Sequence, residues 1–214
     1  MRYLRTFAIE FLALAAVGMS VAQTDQKQAV VPVTERQVAA AQLPQEPPSS
    51  PQMEKLVRAL EGRWSIKEKL APDATSPKGT TGDGRIIWRP GPGGFSLVEE
   101  YRSRQGQREV NGLGLFWWDE AAQGYRTIWC DSTNPGGCIN FKNAVHWKGP
   151  QLELVEDYEV KSKRFTFREV FSDITSATFT QTLYGGESGK ELKVDQIIQA
   201  TKLTQGTDRE GARK

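Results

Sequence analysis

Four stretches of this chain set a carboxylate among aromatic and aliphatic residues at every second position. They are Trp64, Ile66, Glu68, Leu70; Phe95, Leu97, Glu99, Tyr101; Leu152, Leu154, Glu156, Tyr158, Val160; and Phe165, Phe167, Glu169, Phe171. Successive side chains of an extended strand point to opposite faces, so each glutamate shares a face with its apolar neighbours. A buried carboxylate without a partner costs several kcal/mol, so such residues call for a wet cavity, a cationic side chain or a ligand. The competing arrangement places each Glu at a barrel mouth, or behind a β-bulge that reverses its parity. The repeats Glu99-x-Tyr101 and Glu156-x-Tyr158 put an acceptor and a phenol about 7 Å apart on one face, a spacing that suits a small polar ligand. Trp88, Trp118 and Trp129 share the inward parity of their own runs, where they act as aromatic walls or as plain core.

Other chemistry is poorly provided for. His146 is the single histidine and alternates against Ile139, Phe141, Val145 and Trp147, which places it on a polar face as a surface residue rather than a haem ligand or base. Cys130 and Cys138 flank the turn-forming residues 131–137, and behind a secretory signal they read as a hairpin disulfide. Two thiols without a third ligand or an activating base make neither a metal site nor a nucleophile. Gly186-Glu187-Ser188-Gly189-Lys190 lacks the first glycine, the hydroxyl residue and the helix of a phosphate loop, and Gly112-Leu113-Gly114 runs into a strand. No Gly-x-Ser-x-Gly elbow is present. No catalytic residue, metal or cofactor is therefore expected. The 28 basic and 26 acidic residues nearly cancel, and the densest basic cluster, 161–164, falls between two strand patterns, so a nucleic-acid partner is not expected.

These residues need elements to position them. Residues 1–22 pair a basic start with an apolar run of about a dozen residues and end Ser20-Val21-Ala22, the pattern of a signal peptide cut before Gln23 and too short to span a bilayer. Residues 23–50 are rich in Gln and Pro and lack aromatics, which predicts a disordered linker, and 206–214 predict a disordered tail. Between them, 51–205 is expected to fold as one domain, secreted or periplasmic. Ser50 and Pro51 predict an N-cap and first turn, and Met53, Leu56, Val57 and Leu60 recur at helical spacing until Gly62. About ten strand-like runs follow, among them 95–104 and 138–147, joined by short Gly-, Pro- and Asp-containing turns. Short connections predict an antiparallel meander, and closing that sheet removes its edges, so an all-β barrel is preferred to a two-sheet sandwich.

The opening Leu60-Glu61-Gly62-Arg63-Trp64 is similar to the Gly-x-Trp signature that begins lipocalin-type (calycin) barrels. Together with Gly93-Gly94 leading to Leu97-Val98-Glu99-Glu100-Tyr101, the 112–119 strand, and a strand ending Trp129-Cys130-Asp131, residues 53–203 resemble a bacterial family of secreted barrels catalogued as domain of unknown function 1579. The resemblance implies a calycin-like barrel with no assigned activity. It also implies that Trp64 closes the barrel base after Gly62, beneath a cation from the last strand. Lipocalins use an arginine there, and this chain offers Lys202.

The expected function is binding of a small, partly apolar molecule in an aromatic and carboxylate-lined interior. One alternative is a cofactor-free enzyme in which Glu99 with Tyr101, or Glu156 with Tyr158, moves a proton. Another is an envelope protein that meets a protein partner through its outer face.

Overall fold

The computed structural model describes residues 49–73 and 76–204. The expected signal peptide and tail lie outside the described residues, as does the linker except for Ser49 and Ser50. Ser50 caps the first helix as its sequence demands, its Oγ accepting the N–H of Met53 at 3.1 Å ahead of Pro51. Helix α1 (Pro51–Leu60) buries Met53, Leu56 and Leu60. Among the described residues no helix is long and apolar enough to cross a membrane.

Strands then follow in an antiparallel meander: β1 (Gly62–Leu70), β2 (Thr80–Pro90), β3 (Ser96–Gln105), β4 (Arg108–Asp119), β5 (Gly124–Asp131), β6 (Ile139–Asn140), β7 (His146–Lys148), β8 (Gln151–Val160), β9 (Lys163–Ser172), β10 (Thr178–Glu187) and β11 (Lys193–Lys202). One sheet contains them all, ordered β6-β5-β4-β3-β2-β1-β11-β10-β9-β8-β7. The basic cluster makes the β8–β9 turn, with Lys161 and Ser162 at φ of 49° and 62°, the two left-handed residues that a tight hairpin uses.

Two expectations need correction. The sheet curls but does not close as a continuous ladder, because the expected strand 138–147 is broken. Its first part, β6, pairs with β5, and its last part, β7, pairs with β8. The backbone link across this seam is the isolated bridge Tyr125–Val145, with N···O distances of 2.9 and 2.7 Å. Side chains join the rest: Asn143 Nδ2 donates to the Val155 carbonyl at 2.7 Å, and the guanidinium of Arg126 donates to the Lys142 carbonyl. The second correction concerns Phe95, which lies before β3 and is exposed rather than facing inward with Leu97.

One end of the curled sheet is apolar and sealed by α1. Trp64 is fully buried there, donates its Nε1 to the Leu60 carbonyl at 2.8 Å and meets Phe179 edge-on at 4.8 Å. Lys202 Nζ sits 5.1 Å from the centre of the Trp64 ring, so a lysine performs the capping that the resemblance assigns to arginine. Gly62 is fixed by the same contact. Its φ is 134°, and a Cβ added there would lie 2.5 Å from Lys202 Cε. Tyr125 ties α1 to the far strands, donating to the Gln52 carbonyl at 2.8 Å while accepting from Trp147 Nε1 at 3.1 Å.

Candidate functional site

Beyond this apolar end the interior becomes polar. The alternation of β1, β3, β10 and β11 carries Glu68, Glu99, Tyr101, Gln105, Gln181 and Gln196 inward, and all six are buried. Glu68 forms one group with two partners from β3. Tyr101 donates its phenol proton to Glu68 Oε1, and Gln105 Nε2 donates to Glu68 Oε2 at 2.9 Å. Burial first and the Glu68 charge second push the Tyr101 phenol far up, which keeps it a proton donor. The tyrosine thus pairs across strands with Glu68, not along its own strand with Glu99.

Glu99 and Glu169 form the second group. Glu99 lies opposite Trp88 on β2 and opposite Gly114 on β4. The glycine makes room, since a Cβ at position 114 would stand 2.8 Å from Glu99 Oε2. Glu169 on β9 receives a hydrogen bond from Gln181 Nε2. Burial pushes the Glu99 carboxyl well above the usual carboxylate range, and the nearby Glu169 charge adds to this. Burial also raises Glu169, to about 7, against the lowering effect of Gln181. Protein surrounds the Glu169 carboxyl, while the residue as a whole keeps some accessible surface.

Several polar atoms here are buried without a hydrogen-bond partner: Trp88 Nε1, Gln181 Oε1, and both Nε2 and Oε1 of Gln196. Glu99 likewise makes no side-chain hydrogen bond among the described residues. Trp129 forms another wall, lying over Gly112 and Gly114 and meeting Tyr101 edge-on at 5.7 Å. Asp131 holds the indole, accepting from its Nε1 at 2.9 Å, and the bonded pair Cys130–Cys138 closes the loop that follows.

The remaining sequence candidates sit elsewhere. Glu156 is buried but accepts the Asn143 backbone N–H at 2.9 Å, so it joins the seam. Tyr158 is partly buried and stacks on Phe165 at 5.8 Å. Trp118 donates to Glu120 Oε2 at 2.7 Å and lines a groove of about 440 Å³ beside α1 with Met53, Phe95, Leu115 and Trp117. His146 is exposed on β7, as expected. The amides of Gln105, Gln181 and Gln196 were not anticipated from the sequence, although each continues the inward parity of its strand, 181 with Phe179 and 196 with Ile198.

No family model matches the chain, and no curated protein matches its sequence. Among solved structures it is similar to Rv2717c from M. tuberculosis at 11% identity, with a TM-score of 0.49 over 73% of this chain and 99% of that one. It is also similar to an S-type phycobiliprotein lyase from Guillardia theta at 8% identity, with a TM-score of 0.42 over 71% of this chain and 92% of that one. A redesigned β-barrel bound to DFHBI gives 10% identity and a TM-score of 0.37 over 67% and 99% of the two chains. Likeness at this level carries nothing about chemistry, which rests on the side chains described above.

Proposed function

We propose that this chain binds a small, partly apolar molecule inside the curled sheet, against Glu99 and Glu169. The supporting observation is the set of buried polar atoms without partners on Trp88, Gln181 and Gln196. Each unmet group costs about 1–3 kcal/mol if dry, and a whole domain has only about 5–15 kcal/mol of stability. An interior built this way is compatible with a stable fold when water or a ligand meets those groups. Trp88, Phe116 and Phe171 supply the apolar surface beside them, in edge-on contacts at 5.5 and 6.3 Å.

Secretion and membership of the unassigned barrel family belong to the same proposal, supported by the bonded cysteines and by the Gly62–Trp64–Lys202 base. A protein partner is less well supported, because the exposed large apolar residues Phe95, Leu113, Val155 and Val194 occupy four separate segments. The enzyme reading, which pairs Glu99 with Tyr101 or Glu156 with Tyr158, is less well supported, because Tyr101 donates to Glu68 instead and Glu156 accepts the Asn143 backbone N–H.

The neutral, environment-sensitive dye prodan tests the binding reading. Saturable uptake with energy transfer from tryptophan is expected, as is its loss in Gly114→Leu, which fills the space beside Glu99. Equal dye emission in the parent and in a folded Gly114→Leu protein would contradict an interior site.

A further inference from the structure

We infer that the bound molecule is an organic monocation, an amine, amidine or guanidine with several N–H donors on an apolar or aromatic body, seated between Glu99 and Glu169. This inference rests on the interior-site reading above and narrows it to one ligand class.

The balance of hydrogen-bonding groups points to it. Around the pair the acceptors outnumber the donors: the Glu99 carboxyl and the second Glu169 oxygen take no side-chain hydrogen bond among the described residues, and Gln181 Oε1 and Gln196 Oε1 are buried without a partner, against Trp88 Nε1 and Gln196 Nε2 as donors. A ligand that satisfies them must bring N–H groups. An anion would face two carboxyls with only the Trp88 indole and the Gln196 amide as donors, and a neutral apolar molecule would leave the acceptors unmet.

The charge balance points the same way. Among the described residues no Lys, Arg or His is buried, while Glu68, Glu99, Glu153 and Glu156 are. Glu68 is occupied by Tyr101 and Gln105, and Glu156 by the Asn143 amide. The groups facing the pair are Trp88 from β2, Gly114 from β4 and Gln181 from β10, all without charge. Arg168, next to Glu169, lies on the opposite face of β9, where with Lys148 it binds Glu153. Among the described residues no cation is recorded against Glu99 or Glu169, so an entering cation is their natural counter-charge. The aromatic surface of Trp88, Phe116 and Phe171 accepts its apolar body and attracts its charge.

Coupling to protons follows. Burial holds both carboxyls above the usual range, and a cation favours the ionised form, so a proton leaves as the ligand enters. Affinity then rises with pH up to neutrality.

The isosteric set benzamidinium, benzamide and benzoate tests this by titration calorimetry on the folded protein. Benzamidinium is expected to bind at least about tenfold more tightly than the other two at pH 8. Its affinity should rise by up to about tenfold per pH unit between pH 5 and 7, with proton release seen in buffers of different ionisation enthalpy. In folded Glu99→Gln and Glu169→Gln proteins the preference for benzamidinium over benzamide should shrink by about tenfold or more. Prodan uptake without preference for benzamidinium would overturn the cation inference and leave the interior site standing. Loss of both prodan and benzamidinium binding would overturn both. Binding of magnesium or calcium in place of benzamidinium would also overturn it, and among the described residues no cluster of three or more metal-ligating side chains exists to favour that result.

Discussion

Glu99 and Glu169 lower stability at neutral pH, and the sign of the effect is measurable. Glu169 ionises near 4.5 in the unfolded chain and at about 7 in the fold, so the native state holds more protons between those values and stability falls as pH rises through them. The loss is a few kcal/mol at most for this residue. The melting temperature of the parent protein should therefore decline from pH 5 to pH 8, and that of Glu99→Gln/Glu169→Gln should stay nearly level; parallel curves would contradict the burial of these acids. At the other end, Trp64→Ala should lose about 3–5 kcal/mol, the range for a large aromatic removed from a core, as read by denaturant unfolding. Free quenching of Trp64 by iodide would argue against its place under α1. Strand parity made Trp64 and the inward glutamates legible in the sequence. It did not reveal that Tyr101 bonds to Glu68, because that partnership depends on register between strands 33 residues apart in sequence.

Among the elements, the β5–β6 hairpin and the broken strand after it show what residue patterns do and do not determine. The turn residues between Cys130 and Cys138 announced the hairpin, and the bond between them spans a sequence separation of 8. Changing both to Ser should lower stability by about 2–3 kcal/mol in the chain-entropy account while the fold survives, which circular dichroism and urea unfolding would show. Two free thiols in the unreduced, denatured protein would contradict the bond itself. The break between β6 and β7 was not read from the sequence, although Asn143 interrupts the apolar alternation of Ile139, Phe141, Val145 and Trp147 where the break falls. Parity reports which face a residue takes and is silent about which strand it pairs with, and here the chain changes partner from β5 to β8 in mid-run. The helix, by contrast, was legible at both ends because Ser50, Pro51 and Gly62 act locally.

Across the whole sheet, an apolar end sealed by α1 grades into a polar interior, and the seam between β6 and β7 is its weakest line. A single bridge and a few side-chain bonds hold that line, where neighbours such as β3–β4 and β8–β9 share long ladders. Amide hydrogens of residues 139–148 should exchange markedly faster than those of β1, β2 and β11, and equal protection would show that the sheet is closed more firmly there. On the proposed reading, Glu99 and Glu169 share an interior able to take a cation. Carbon-13 NMR titration of glutamate carboxyls, assigned with Glu99→Gln and Glu169→Gln, tests it most directly. The prediction is that Glu99 titrates well above the usual range and Glu169 near 7, with both falling when benzamidinium saturates the protein; titration of both near 4.5, unmoved by benzamidinium, would contradict it.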